Sequence, residues 1–272
     1  MDCAPDSRPP LSELLSAFDP LAGAGWQVRE MASQPAQAGG SLPIRAYFNA
    51  DEVDTILVGG IHGREPAGAM ALARYVPRLI GHGGIRRLLV MPLLNPWGYV
   101  ERQRYGPSGQ SVSDSDHLLG RTAAPACPEA GQITAFVTSG IRIQPGASVV
   151  DLHEDPVYES PGYQFEGFGS YVYFIGAGAR DRAASRRVVE CLQRSSLPLI
   201  ASGVTRFGES IVGGAIADSE DGSIDELFAR RLSCTPVITV ENLLHAAEAP
   251  PLAERVRVYL DVLDAFFGCR HP

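Results

Sequence analysis

Three runs of apolar, β-branched residues in this chain each end on groups that can bind a metal or move a proton. "DTILVGGI" (54–61) leads into "HGRE", with His62 and Glu65 three residues apart; "ASVVDLH" (147–153) ends on His153; "TPVITVEN" (235–242) carries Glu241. In open α/β sheets ligands gather beyond the carboxyl ends of the strands, so these positions point to one common site. Two imidazoles and a carboxylate form the ligand set of a catalytic Zn2+, which takes three protein ligands and keeps a fourth position for water. The expectation is therefore one zinc per chain on His62, Glu65 and His153. Glu241, on a strand near the other two, is placed to be the general base that takes a proton from that water.

The setting of "HGRE" supports this reading. Pro66 suits the first turn of a helix, so His62 and Glu65 would lie where a strand gives way to a helix, and Gly60 and Gly63 allow the backbone to turn tightly there. Taken singly, each histidine or acid reads equally well as a hydrogen-bonded structural group; the coincidence of strand ends carries the argument. A second HxxE, "HAAE" at His245–Glu248, leads into "APP" and reads as a loop pair.

The elements that must position these groups follow from periodicity. Further strands are expected at "RRLLVMPLL" (86–94), "YVYFIGAG" (171–178) and "LPLIASG" (197–203). Helices are expected at Ala67–Leu79, at Asp181–Arg194 and at Leu252–Phe267, the last closing at Gly268. Residues 26–50 read as a hairpin turning at "AGG", and the alternation of strand and helix implies an α/β sheet covered on both faces. With no repeat and no linker, a single domain covering 1–272 is the simplest account. The Gly-, Pro-, Ser- and Asp-rich stretch 102–128 is too long for an ordinary connection and is a candidate functional loop, as is 208–223.

Composition excludes several classes. At 45% apolar residues the chain can build a substantial core, and a formal charge of −8 with no basic run longer than a pair argues against a nucleic-acid partner. There is no lysine, which reads as compositional bias toward arginine. Five scattered cysteines without a CxxC pair suit free thiols. No stretch has the length of a membrane span, and the first residues lack the apolar core of a signal peptide, so a cytoplasmic location and no membrane partner are expected.

In order along the chain, "HGRE" (62–65), "NPWGY" (95–99), "RQR" (102–104), "DLH" (151–153) and "TVEN" (239–242) resemble the zinc metallocarboxypeptidase family, the group of carboxypeptidase A and murein peptide amidase. The likeness spans roughly residues 54–245. It implies a mixed, twisted sheet with helices on both faces, and cleavage of a peptide or cell-wall-peptide-like amide. By resemblance His62, Glu65 and His153 hold zinc, and Glu241 is base and proton shuttle. Arg104, or else Arg102, polarises the scissile carbonyl, a task suited to a permanently charged fork of donors. Asn95 and Arg102 are expected with the substrate.

Departures from the family bear on the substrate. Where the family carries an Asn-Arg pair for a terminal carboxylate, this chain has "DSDH" (114–117), so Asp116 and His117 are expected to line the pocket. Asp116 suits an amino group, and protonated His117 a carboxylate. The family's mobile tyrosine has no assigned counterpart among Tyr158, Tyr163, Tyr171 and Tyr173, and Glu209, Ser210, Asp218 and Glu226 are unranked candidates for the specificity pocket. Two alternatives stay open. One is an acyl-amino-acid hydrolase resembling succinylglutamate desuccinylase or aspartoacylase, disfavoured because a helix follows soon after "TVEN" where those relatives carry an extra β domain. The other is a non-catalytic metal-binding module, disfavoured by the retained ligands and Glu241.

Overall fold

The computed structural model describes residues 7–80, 86–110, 127–156, 169–205, 207–217, 222–244 and 250–268. Two short helices, α1 (Leu11–Ser16) and α2 (Asp19–Gly23), precede the hairpin β1 (Gln27–Pro35) and β2 (Ser41–Phe48). There follow β3 (Glu52–Gly59), α3 (Pro66–Tyr75), β4 (Leu88–Met91), α4 (Pro96–Glu101), α5 (Pro128–Ala135) and the long β5 (Arg142–Pro156). The remainder comprises β6 (Gly169–Ile175), α6 (Ala183–Gln193), the short β7 (Ser202–Val204), β8 (Ser210–Val212) and β9 (Ala215–Ala217), then α7 (Ile224–Glu226), β10 (Val237–Leu244) and α8 (Leu252–Phe267).

The ten strands of the described residues join one mixed sheet in the order β1-β2-β4-β3-β5-β10-β6-β9-β8-β7. The centre, β4-β3-β5-β10, is parallel, so its carboxyl ends share one edge. Antiparallel β2 and β6 flank it. Register aligns Gly59 with Leu152 and His153 with Glu241, which brings the ends of β3, β5 and β10 level.

Helices cover both faces, as the strand and helix alternation implied. On one face α1, α3, α6 and α8 pack on Leu57, Val150, Leu152, Val172, Ile238 and Val240; on the other, α5 and the segment around α7 pack on Ile56, Val58, Val149 and Val237. The α8 helix sends Val256, Tyr259, Leu263 and Phe266 into the first of these cores, and fully burying a side chain of this size is worth about 1.5–3 kcal/mol. It stops at Gly268 in the left-handed conformation, and Arg187 of α6 donates to its last carbonyls, Ala265 O and Phe266 O, both at 2.7 Å.

Some expected boundaries move. The strand expected at 197–203 shrinks to Ser202–Val204, with Leu199 making only an isolated bridge to Ser170. Pro198 has no N–H to give a ladder. The helix expected to run to Leu79 passes into a tighter 3-10 turn at Val76–Leu79, where Pro77 lacks the donor for another α-type bond. Among the described residues Cys127, Cys191 and Cys234 are free, and burial pushes the Cys191 and Cys234 thiols up to about 11 and about 12, which keeps them unreactive. No helix among the described residues is long and apolar enough to cross a membrane.

The α3 helix lies close on β5 because its residues are small. A Cβ at Gly68 would meet the Leu152 carbonyl oxygen at 2.6 Å. Replacing glycine by alanine inside a helix ordinarily stabilises by about 1 kcal/mol. Here the sign should reverse: Gly68→Ala is expected to lower the unfolding free energy by about 1–3 kcal/mol through overpacking, measured by urea denaturation of the metal-free protein.

Candidate metal centre

The loop after β3 is held from both sides. Gly60 adopts φ +60°, and its carbonyl accepts from Leu94 N (3.2 Å) and Asn95 N (2.9 Å). Gly63, expected to serve the turn by its flexibility, keeps a negative φ; it is needed instead because a Cβ there would collide with the Gly98 backbone of α4. Pro66 occupies the first turn of α3 with Glu65 as its N-cap residue, as the sequence indicated, but Glu65 makes no side-chain cap. The buried Glu154 supplies that bond, accepting from Ala67 N at 2.9 Å. This frees the Glu65 carboxylate to turn toward β5.

The structure brings together the three expected ligands. Ligand atoms of His62, Glu65 and His153 all lie within 4.8 Å of one another, and all three side chains are buried. Glu65 Oε1 is 2.9 Å from His62 Nδ1, while its Oε2 is 3.2 Å from His153 Nδ1 and accepts from Glu154 N at 3.1 Å. The second nitrogen of His153, Nε2, lies 3.2 Å from the carboxylate of fully buried Asp151. With the Asp151 carboxylate beside one nitrogen, the other, Nδ1, faces the cluster, the arrangement by which a carboxylate orients a metal-binding histidine. Two imidazoles with Nδ1 turned inward and a carboxylate between them fit a metal ion.

Charge and burial compete at each group. Burial raises the Glu65 carboxyl, but His62, Arg104 and His153 outweigh it and hold it well below the usual carboxylate range. Burial lowers the His153 imidazole, yet Asp151, Glu241 and Glu65 lift it well above its ordinary value. Glu241, with Oε1 4.0 Å from His153 Nδ1, is pushed well above the carboxylate range, first by burial and then by Glu65 and Asp155. A bound cation would offset that crowding of negative charge.

The two candidate arginines separate clearly. Arg104 Nη1 lies 2.7 Å from Glu65 Oε1, beside the cluster. Arg102 is an exposed residue in the left-handed conformation that ends α4, and its carbonyl accepts from Arg64 Nε at 3.0 Å. Its part is to turn the chain so that Arg104 faces inward. Asn95, expected with the substrate, is buried as the N-cap of α4: its side chain accepts from Gly98 N at 2.8 Å and donates to Arg104 O at 3.1 Å. It braces the arginine-bearing segment. Asp116 and His117, with Asp114, lie outside the described residues, as do His245 and Glu248, Tyr158 and Tyr163, and Asp218.

Along one sheet face the chemistry changes in steps. Val149, Val237 and Ile175 are core; the next residues on that face are Asp151, Thr239 and Tyr173, and the next His153, Glu241 and Tyr171. Tyr171 donates to Asp155 and Tyr173 to Glu209, both at 2.7 Å, and Thr239 to Asp225. Glu226 pairs with Arg230 at 2.8 Å and accepts from Gly222 N at 2.7 Å, so it shapes its own turn, and Ser210 is exposed on β8. Sequence reasoning passed over Asp151 and Glu154. The period of two in "VVDLHED" could have found the first, since 151, 153 and 155 must share a face. On the other face Arg255 pairs with Glu154 and the Tyr259 hydroxyl donates to His153 O, so α8 holds the end of β5 from behind.

These features define an α/β, zinc carboxypeptidase-like fold carrying a group of side chains able to hold a metal ion, as the ordered motifs implied. No family model and no curated protein matches the chain. Among solved structures it is similar to a candidate metallopeptidase from Shewanella amazonensis, with TM-score 0.72 and 17% identity over 95% of this chain and 92% of that one. A second such protein, from Shewanella denitrificans, gives TM-score 0.70 and 17% identity over 95% and 89%. A metallo-carboxypeptidase from Burkholderia cenocepacia gives TM-score 0.60 and 14% identity over 95% and 68%.

Asp151 provides a direct test of the cluster. Asp151→Ala is expected to weaken metal binding about 10- to 100-fold, read by competition with a chromophoric chelator on the metal-free protein. Unchanged affinity would show that His153 needs no orienting partner.

Proposed function

We propose that the chain is a zinc-dependent hydrolase of a peptide or peptide-like amide, acting in the manner of a carboxypeptidase. The observation that carries this reading is the buried group His62, Glu65 and His153, with the carboxylate of Glu241 4.0 Å from His153, at the level ends of three strands. His62, Glu65 and His153 would hold the ion. When bound, zinc supplies a Lewis acid and makes water a nucleophile at neutral pH.

The protein's own groups do the rest. Glu241, the register partner of His153 across the β5–β10 pair, accepts the proton of the attacking water and returns it to the leaving nitrogen. Burial and the nearby Glu65 and Asp155 make the Glu241 carboxylate more basic than a free one, and a bound cation would offset part of that crowding and favour the ionised form that accepts a proton. Arg104 lies beside the cluster with its fork fixed by the ion pair with Glu65, where it stabilises the oxyanion that develops on the carbonyl oxygen. Asn95 keeps it there through the Arg104 carbonyl. Asp116 and His117 remain proposed pocket residues on sequence grounds.

Metal content and turnover should separate these roles. His153→Ala is expected to lose stoichiometric zinc by mass spectrometry. Glu241→Gln should keep zinc but lose about 100- to 10,000-fold in kcat on a library of peptides and murein tripeptide, the range for a lost general base. Arg104→Ala should lose about 100- to 1,000-fold, as for a removed oxyanion donor. A wild-type protein that binds no zinc and gains no activity from any added metal would refute the reading; zinc without turnover would move the search to acyl-amino acids or to a binding role.

A further inference from the structure

The segment before α1 reaches the back of the metal loop. Arg8 Nη1 donates to Gly63 O at 2.6 Å and to Tyr99 O at 2.9 Å, and its guanidinium stands 5.0 Å from the centre of the Tyr99 ring. Tyr99 returns the contact, its hydroxyl donating to Pro9 O at 2.8 Å. Leu14 and Phe18 anchor the following residues in the core, so the position of Arg8 is set by packing.

The two carbonyls it joins belong to the two segments that build the site. Gly63 lies between His62 and Glu65, and Tyr99 stands in α4, immediately before the turn that delivers Arg104. Those segments also meet through Gly63 N, which donates to Arg104 O at 3.2 Å, and through the close approach of Gly63 to Gly98. A charged guanidinium forms stronger hydrogen bonds than a neutral donor, and the two N–H groups of its planar Nη1 hold the two acceptors at a fixed separation.

We infer that Arg8 is a positioning residue of the metal site: it clamps the 62–65 loop to the 98–104 segment and so sets the spacing between the ligands and Arg104. This rests on the metal-site reading above. The role needs no contact with metal or substrate. It makes the ligand geometry depend on a residue 55 positions upstream of Gly63 in the chain.

The test compares zinc affinity, by chelator competition, with thermal unfolding of the same metal-free proteins. Arg8→Ala is expected to bind zinc about tenfold more weakly than wild type, the lower end of the range for lost outer partners of a metal site. Arg87→Ala serves as control, because Arg87 ties Glu52 (2.7 Å) and Asp54 (3.2 Å) together away from the ligands; it should lower the unfolding temperature and leave zinc affinity unchanged. If Arg8→Ala does not fold, Arg8→Lys replaces it: a shorter side chain with a rotating ammonium keeps the charge without the planar, fixed pair of N–H groups, and a loss of about threefold is expected. Wild-type affinity in the Arg8 variant, whatever its unfolding temperature, would overturn the inference and leave Arg8 a structural strap. A wild-type protein that binds no zinc would overturn both this inference and the site reading beneath it.

Discussion

The Glu65 carboxylate is the point on which the rest of this structure converges. One oxygen meets His62 and Arg104, the other meets His153 and the Glu154 amide, and no side of it faces bulk water. A carboxylate so placed is costly to bury, and removing its partners would expose the protein to a penalty of several kcal/mol. Four segments of the chain must therefore arrive together. The turn after β3 brings His62, the segment after α4 brings Arg104, and the end of β5 brings His153 and the Glu154 amide. The helix that begins at Pro66 aims Glu65 itself.

The sheet makes that convergence routine. Parallel strands place their carboxyl ends on one edge, and the β5–β10 register sets His153 and Glu241 side by side. The supporting layer behind is equally specific. Arg255 and Tyr259 of α8 reach the Glu154 carboxylate and the His153 carbonyl, and Glu154 caps α3. The polar groups on the far side of the sheet thus fix backbone positions for reactive groups on the near side, and the two faces cannot be altered independently.

Much of this was legible in the sequence, for identifiable reasons. Apolar runs ending in His62, His153 and Glu241 placed three strands and the ligand edge, because a buried parallel strand must be continuously apolar and must end where it meets solvent or a site. The α8 helix and its Gly268 stop followed from helical periodicity. What the sequence did not show were relations between segments. The requirement at Gly63 comes from Gly98 rather than from its own dihedral angles. The choice between Arg102 and Arg104 depends on a single left-handed residue, and Asn95 carries no local mark that its amide serves Arg104. Arg8 is the extreme case, since nothing near it in the chain signals a bond to a loop 55 residues on.

The position of β10 has a consequence for how the molecule is made. Among the described residues it is the last strand in sequence order, and yet it lies between β5 and β6, near the middle of the sheet. Until residues 237–244 leave the ribosome, the growing polypeptide can assemble only two partial sheets, β1-β2-β4-β3-β5 and β6-β9-β8-β7. Each ends in an open edge of unpaired N–H and C=O groups. The β6 edge, with Tyr171, Val172, Tyr173, Phe174 and Ile175, is the kind of surface that pairs with a neighbouring chain before its own partner arrives. The same strand that closes this gap delivers Glu241, so the nascent protein is at its most sticky before that carboxylate has reached the cluster.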